Sequence, residues 1–481
     1  MFLCPENLDL NRLFINYPPK IEPGREFQAA YAYLIIDILC RIHVEGREDR
    51  VTEDGYIKLC SSILQEQVPR YQSYLRYLKS LDVIESNYSY VAKSIANSNN
   101  PARCIGYRLT QKYRTSLKEI EFKDRISASL AKKQIQLSDR EKKDYAHILK
   151  WHNCNLLIDK EAALEFNRSN YEVLKENTRK WKQKTIRHPM YGSVKTSEAL
   201  DPYLSYQARD IVIKRFSRGE FRFSTSKGRR LYSTLSFLPK ELRKFVTYDG
   251  WPLVELDCGN SQPYLLLALF NKEFWLNEHE YFNLRDIRQY SISYKYLQVL
   301  KDCYFSSSKY STMLDKLDEI RYSKGFQRYK SDVINGDFYE TFYENHHDSS
   351  GPDNLFIDPL FENKDDVKVG ILRYFNAHYL WKSPIKKGFW MDYPEVHELL
   401  MALKKQDQDS ELSTFSHAIE SEIMLFRVAK RFSKQYPWCP IYSIHDCLVT
   451  WIEREADLRA IMKDEFTKCL GVPPKIKTKY W

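Results

Sequence analysis

Two aspartates in the second half of the chain lie where a carboxylate can bind a metal ion. Asp257 follows the apolar run PLVEL, and Asp446 lies in IYSIHDCLVTWI, where apolar arms flank a polar centre. The first pattern predicts a buried strand that ends near Asp257, and the second predicts a β-hairpin with Asp446 at its tip. Two-metal phosphoryl transfer requires such a pair, because cations about 3.5–4 Å apart repel each other unless fixed carboxylates bind them.

Each aspartate also has a simpler interpretation. Asp257 can cap the helix predicted at NSQPYLLLALF, and Asp446 can be an ordinary turn residue. A His-Asp phosphohydrolase is the rival chemistry for the second motif. That chemistry needs further His and Asp ligands, and the adjacent pair His346 and His347 lies in a polar, loop-like stretch, so we discount it.

The segment just before Asp257 interleaves cations with aromatic residues. Cations bind phosphates and aromatic faces stack on bases, so this segment is predicted to line a nucleic-acid groove beside the metal site. A helix or strand face with an apolar back would show the same composition. The cations are Lys214, Arg215, Arg218, Arg222, Lys227, Arg229, Arg230, Arg243 and Lys244.

The first 115 residues show three short helical patterns followed by a predicted hairpin, NYSYV with CIGYRLT. That order predicts a winged-helix-like DNA-binding domain. Its third helix, with Arg70, Arg76 and Lys79, would enter a DNA groove, and its wing, with Lys93 and Arg103, would contact phosphates. A small helical domain that contacts protein is the alternative.

The remaining organisation follows from composition. Residues 116–210 are highly charged with helical periodicity and almost no glycine, which predicts a helical connector or thumb-like arm, and 211–481 would form the catalytic core. The 481 residues fit about three domains, and the net charge of +10 favours a polyanionic partner. The ten cysteines are scattered, which predicts a reducing, cytoplasmic location, and no apolar stretch is long enough to predict a membrane span.

Together these motifs resemble one family of polymerases. The run SKGRRLYSTLSFLPKELRKFVTYDGWPLVELDCGNSQPYLLLAL is similar to the segment of family A DNA polymerases in which an Arg-Leu-x-Ser element and a leucine-to-proline element precede motif A. The run IHDCLVT resembles motif C of that family and of phage-type single-subunit RNA polymerases. The likeness is greatest to transposon- and virus-encoded polymerases related to both families, and it covers about residues 210–481.

The resemblance implies an α+β right-hand polymerase core, with an antiparallel palm sheet, helical fingers and a thumb, preceded by the winged-helix domain. It implies addition of dNTPs to a primer 3′-OH with two Mg²⁺ ions, or Mn²⁺. The implied partners are DNA template and primer, nucleoside triphosphates and replication accessory proteins of a mobile element or virus. Proofreading is not expected, because Asp159 and Glu161, the one Asp-x-Glu candidate, lie too close to the palm for an exonuclease domain.

The resemblance also assigns residues to roles. Asp257 and Asp446 would be metal ligands, with His445 beside the primer terminus. The residues implied for nucleotide binding are Lys364, Lys368, Arg373 and Phe375 in the expected fingers helix, and Gln262. Those implied for nucleic-acid binding, or for support of the site, are Lys227, Arg229, Arg230, Ser233, Arg243, Glu420 and Ser421. A solvated helix face is the alternative for Lys364 and Lys368.

Two departures from the family leave the polymer type open. The family's Glu five residues after the motif A aspartate, which blocks a ribose 2′-OH, is replaced by Gln262, and the Glu after the motif C aspartate is replaced by Cys447. We favour DNA as the product because the likeness upstream of motif A is to DNA polymerases. An RNA polymerase or primase of the same fold, a non-catalytic DNA-binding replication initiator and a nucleotide-sensing protein are the alternatives. Because Cys258 and Cys447 each neighbour an aspartate, a thiol reagent is expected to inhibit.

Overall fold

The computed structural model describes residues 2–19, 27–44, 55–87, 104–120, 137–177, 183–188, 192–199, 202–276, 281–288, 309–335, 338–347, 363–405 and 411–481. The fold is mixed α/β with antiparallel sheets. The chain forms two compact units. The amino-terminal unit comprises Met1–Gln136, Ile158–Glu220 and Phe237–Pro239, and the carboxy-terminal unit comprises Leu137–Leu157, Phe221–Ser236 and Lys240–Trp481. Both units are discontinuous in sequence, whereas the three predicted segments are contiguous.

The amino-terminal unit contains a small helical and sheet domain. In chain order its elements are helix Ala29–Val44, strand Ile57–Lys58, helices Ser61–Gln67 and Tyr71–Ser80, and strands Ile84–Ser86 and Gly106–Leu109. The last of these strands lies between the other two, and both pairings are antiparallel. Helix Tyr71–Ser80 buries Tyr74, Leu75 and Leu78 along one stripe, which gives it a core-facing side.

Strand Ile84–Ser86 follows the buried residue Val83, and its own Ile84 is buried. Residues 88–91 of the predicted hairpin strand NYSYV lie outside the described residues. Arg70 and Arg76 are exposed, whereas Lys79 donates a hydrogen bond to Ser86. The predicted wing cations Lys93 and Arg103 lie outside the described residues.

The rest of the amino-terminal unit contains two longer helices and several strands. Helix Lys160–Glu176 begins at Asp159, whose side chain accepts a hydrogen bond from the Ala162 amide, so this aspartate is a helix cap. The other elements are strands Phe2–Pro5 and Leu117–Ile120, which pair with each other, helix Leu10–Asn16, strands Gln183–His188 and Gly192–Ala199, which form a hairpin, and helix Pro202–Ser217. That hairpin corrects the prediction of helix throughout 116–210.

The hairpin has a local cause in the sequence. Its register places Ile186 opposite Val194 and His188 opposite Gly192. β-Branched residues favour strands, and glycine next to a turn interrupts a helical pattern. The abundant charges had suggested a solvated helix, but charge alone does not distinguish a helix face from a strand face.

The carboxy-terminal unit is built on a six-stranded sheet. The strand order is Tyr442–Ile444, Cys447–Trp451, Trp251–Cys258, Val246–Tyr248 and Leu156–Ile158, and Ile476–Tyr480 also pairs with Trp251–Cys258. We call Trp251–Cys258 the central strand. Leu253, Val254 and Leu256 are fully buried, because this strand has neighbours on both edges.

Helices make up most of the remaining carboxy-terminal unit. They are Asp139–Asp144, Ala146–Leu149, Ser261–Leu265, Lys272–Leu276, Lys309–Tyr322, Lys324–Asn335, Phe338–His347, Lys364–Asn376, Pro384–Asp392, Pro394–Lys405, Glu411–Ser421, Lys430–Gln435 and Glu455–Leu470, with a π-helix at Glu422–Ala429. A small strand pair, Phe223–Thr225 with Leu231–Ser233, precedes the central strand. Short 3₁₀ turns in the chain cover Gln111–Tyr113, Thr234–Phe237, Lys240–Phe245, Leu266–Phe270, Leu284–Asp286 and Ile452–Arg454.

The loop-like setting predicted for His346 and His347 is wrong, because both end the helix Phe338–His347. Phe338 and Phe342, four residues apart, are buried and give that helix its apolar side. The His346 ring nitrogen lies 3.0 Å from the Asp392 carboxylate. Across the described residues, every helix is too short or too polar to cross a lipid bilayer.

Candidate active site

The two predicted aspartates lie side by side on the sheet. The central strand places Asp257 directly opposite Cys447, the first residue of the neighbouring strand. The turn between Tyr442–Ile444 and Cys447–Trp451 consists of His445 and Asp446, which confirms the predicted hairpin. One carboxylate oxygen from each aspartate and the Cys447 sulfur all lie within 4.8 Å of one another.

The backbone of the hairpin turn is constrained. His445 has a φ of +54°, in the left-handed region that residues other than glycine seldom adopt. Its imidazole is exposed and meets the Tyr232 ring edge-on, with ring centroids 5.9 Å apart. This two-residue turn directs Asp446 back toward the end of the central strand, where Asp257 lies.

The two carboxylates of the site repel each other. Burial and the neighbouring Asp446 carboxylate raise the pKa of Asp257 to about 6, although Cys447 and Lys477 partly oppose this increase. Lys477 lies opposite Asp257 on the strand Ile476–Tyr480. Burial also raises the pKa of the Cys447 thiol, so the sulfur adds no further negative charge beside the carboxylates. Two mutually repelling carboxylates beside a sulfur form a donor set that fits a divalent cation.

A buried ion pair lies next to the aspartates. Arg230 donates two hydrogen bonds to Glu420, at 2.7 and 2.5 Å, and Ser261 donates a third at 3.1 Å. Burial raises the pKa of Glu420 to about 6, opposed by Arg230. Asp446 contributes to the electrostatic environment of both partners, so the pair lies within reach of the carboxylate site.

Gln262, five residues after Asp257, contacts a buried histidine. Its amide nitrogen lies 3.1 Å from His417 Nε2. Burial and Arg230 lower the pKa of His417 to about 3, so the ring is neutral and its Nε2 can accept a hydrogen bond from the Gln262 amide. Gly228 lies against the same histidine, and a Cβ at that glycine would come within 2.5 Å of the His417 Cβ. The loop and the helix Glu411–Ser421 therefore pack too closely for a larger residue.

The predicted nucleotide-binding cations lie on helix Lys364–Asn376. Lys364 pairs with Glu340 at 2.9 Å, and the Lys368 ammonium lies 5.8 Å from the centre of the Tyr339 ring. Burial and the Asp446 carboxylate raise the pKa of Tyr339, which puts this tyrosine near the aspartates. The helix carrying Tyr339 thus links Lys368 with the carboxylate site.

Two other residues predicted to bind nucleotide contact aromatic rings of the protein itself. The Arg373 guanidinium lies 5.1 Å from the centre of the Trp381 ring. Phe375 is 3% exposed and packs edge-on against Phe389, so the expectation that it contacts nucleotide is corrected. The cause is that Phe375 lies on the apolar stripe of its helix, together with Ile371.

The residues predicted to contact nucleic acid are mostly paired inside the protein. Arg229 binds Asp144 at 2.5 Å, and Arg243 binds Glu255 at 2.6 Å with both side chains buried. Ser233 is 2% exposed, so its hydroxyl lies beneath the surface.

Two more of the residues predicted to contact nucleic acid differ in their exposure. Ser421 is buried and donates a hydrogen bond to the Gly228 carbonyl at 2.8 Å. Lys227 is exposed and extends from the loop between the two small strands. Direct phosphate contact in this conformation is therefore open to Lys227 but not to Ser233 or Arg243.

Three residues of the site were not assigned from the sequence. Cys447 was noted as a departure from the family pattern and as a thiol next to Asp446, but it was not assigned to the metal site. His417 lies three residues before Glu420 on one helix, so a search of that helix face would have found it. Tyr339 had no local signal, because its proximity to Asp446 arises from tertiary packing.

Both cysteines that neighbour an aspartate are buried. Cys258 is 3% exposed and Cys447 is 7% exposed. The expectation that a thiol reagent inhibits therefore requires the sheet to open first, because a reagent reaches a buried sulfur only through such fluctuations.

Comparisons with known proteins give a distant structural likeness. No family model matches the chain. No curated protein matches it. Among solved structures, the chain is similar to the POL domain of Pol1 from M. smegmatis in a complex with DNA primer-template and dNTP, with 12% identity and a TM-score of 0.32 over 74% of this chain and 73% of that chain. That similarity is too low to assign this chain a fold or a function.

Proposed function

We propose that this chain is a template-directed DNA polymerase that adds dNTPs to a primer 3′-OH. The observation that carries the proposal is the convergence of Asp257 and Asp446, which come from distant parts of the sequence and place two mutually repelling carboxylates in one site. Such a pair needs a divalent counter-charge, and phosphoryl transfer is the chemistry that most often uses it.

Asp257 and Asp446 would hold Mg²⁺, or Mn²⁺, and the bound ions would favour ionisation of the attacking hydroxyl and stabilise the charge of the leaving pyrophosphate. The protein supplies the remaining positioning. Lys368 lies close to Tyr339, and its ammonium would bind the β- and γ-phosphates of the triphosphate. Arg230 is held by Glu420 and raises the positive potential beside Asp446.

The sheet supports a palm and the helices between residues 309 and 405 support fingers in a right-hand architecture. We extend the proposal to the predicted domains, with a winged-helix-like DNA-binding domain at 1–115, a connector or thumb-like arm at 116–210 and the palm and fingers at 211–481. The helix and strand order of the first of these, with Arg76 exposed on helix Tyr71–Ser80 and Arg70 exposed just before it, supports DNA binding. Replication of a mobile element or virus would suit this combination.

Primer extension tests the proposal. The wild type, Asp257→Ala and Asp446→Ala are compared on a short primed DNA template with Mg²⁺, in separate reactions with dNTPs and NTPs. Asp249→Ala is the matched control, since Asp249 is an exposed turn residue at the opposite end of the central strand. Template-dependent extension that both site variants lose and the control retains supports the polymerase.

A replication initiator is the second candidate, because the exposed Arg76 of helix Tyr71–Ser80 and the exposed Arg70 just before that helix favour DNA binding on their own. Absence of incorporation with dNTPs or NTPs, together with DNA affinity that falls in Arg70→Ala and Arg76→Ala, would favour that candidate. Incorporation of NTPs alone would instead assign the chain as an RNA polymerase or primase of the same fold.

A further inference from the structure

The carboxylate site includes a sulfur atom in a position to bind metal. Cys447 follows Asp446 in the chain and lies opposite Asp257 across the sheet. Directly opposed residues in antiparallel strands project from the same face, so the thiol and the Asp257 carboxylate are neighbours. The thiol also donates a hydrogen bond to Asp446 Oδ1 at 3.8 Å.

The spacing of the three donor atoms suits a small cation. All three lie within 4.8 Å of one another. In a tetrahedral zinc site, bonds of about 2.3 Å to sulfur and about 2.0–2.2 Å to oxygen place the ligand atoms roughly 3.5 Å apart. Closing the difference requires only side-chain rotation, because the two strands that carry Asp257 and Cys447 are already paired.

We propose that Cys447 is a third metal ligand and that it gives this site a preference for thiophilic divalent cations, such as zinc or cadmium, over magnesium. The sulfur would bind as the thiolate, and its proton would pass to solvent when the metal binds. Thiolate is a soft ligand that binds these ions well and binds magnesium poorly, whereas the two carboxylates accept either class. The inference deepens the proposed function and rests on it for the role of the two aspartates. It predicts that zinc competes with magnesium at the same atoms.

Cys258 provides a matched comparison. It neighbours Asp257 in sequence just as Cys447 neighbours Asp446, and it is equally buried. Successive residues of a strand point to opposite faces, so Cys258 faces away from the carboxylate of Asp257. Its sulfur instead lies 4.0 Å from the Gly259 carbonyl. Cys258 is adjacent to an aspartate in sequence only, so we expect it not to bind the metal ion that Cys447 binds.

The test is a cadmium titration of the full chain in reduced form, without nucleotide or DNA, followed through the ultraviolet charge-transfer absorption of cadmium bound to thiolate. Wild type, Cys447→Ser and Cys258→Ser are compared, and the difference from wild type measures each sulfur by itself, whatever other cysteines bind. We expect Cys447→Ser to lose one equivalent of this absorption and Cys258→Ser to lose none.

A second variant separates ligation from folding. Asp257→Asn keeps the thiol, so at saturating cadmium the Cys447 absorption should persist while the cadmium affinity falls at least about tenfold, as expected when one ligand is lost. Thermal melting of each variant checks that the sheet is intact. Equal absorption in wild type and a folded Cys447→Ser would overturn the proposal.

Primer extension is scored separately from cadmium binding. A chain that shows the Cys447-dependent absorption but extends no primer supports the thiol ligand and counts against the polymerase. A chain that extends primers in a magnesium-dependent way but lacks that absorption overturns the thiol ligand and leaves the polymerase in place.

Discussion

Removal of the Asp257 charge should stabilise the metal-free protein at neutral pH. Burial and Asp446 raise the pKa of Asp257 from 3.8 to about 6. The folded state therefore binds this proton more tightly than the unfolded state does, and wild type loses stability as the pH rises from about 4 to about 6. The shift of about two pKa values corresponds to about 3 kcal/mol, and partial solvent screening reduces the expected gain in Asp257→Asn to about 1–3 kcal/mol.

The assay is thermal or urea unfolding of wild type and Asp257→Asn in the presence of a chelator, across this pH interval. We expect the variant to be the more stable protein above about pH 6, with the difference shrinking as the pH falls through about 4, because the wild-type carboxyl is protonated in both states only below its unfolded-state pKa of 3.8. Adding Mg²⁺ or Mn²⁺ should raise the melting temperature of wild type more than that of the variant, because only wild type has both carboxylates to bind the ion.

Asp249→Asn is the control, because it makes the same chemical change at an exposed turn where φ is +53° and asparagine is well tolerated. It should change stability little at any of these pH values. The expected repulsion between the two carboxylates in the folded state would be refuted if Asp257→Asn were less stable than wild type throughout the interval.

Three further perturbations follow from the contacts of the site. Arg230→Met should destabilise the protein by about 3 kcal/mol, because it leaves Glu420 buried without its partner, and an unchanged urea midpoint would contradict the ion pair. Gly228→Ala should cost about 1–3 kcal/mol through overlap with His417, which melting measures, and a neutral result would show that the loop yields easily. Lys368→Ala should raise the KM for dNTP about tenfold while DNA affinity stays constant, and equal loss of both would place this lysine outside the nucleotide site.

The parts of the site that the sequence predicted are those encoded by short local patterns. The apolar run before Asp257 and the apolar arms around Asp446 each contain enough alternation to define a strand or hairpin, and both are confirmed. The proximity of the two aspartates was inferred from the requirement of two-metal phosphoryl transfer for a pair of carboxylates. The register that brings Cys447 opposite Asp257 depends on strand pairing across 190 residues, which no local pattern encodes.

The errors concern residues whose burial depends on distant partners. Arg243 and Ser233 lie in a segment rich in cations and aromatic residues, where composition gives no sign that Glu255 or the sheet would bury them. Phe375 lies on a helix face that other helices cover. The predicted helical arm failed at Gln183–His188 and Gly192–Ala199 because charge abundance masked strand-forming residues.

The pairing of the central strand bears on the order in which the protein can be made. Residues 251–258 leave the ribosome long before residues 447–451 and 476–480, which supply its neighbours on both edges. Until then the strand has open edges and apolar residues without cover, a state prone to wrong pairing during synthesis. The intervening helices can fold locally first, since their contacts are short in sequence. The carboxylate site therefore assembles last, and a chain that stops before the final strand should accumulate as an aggregation-prone intermediate.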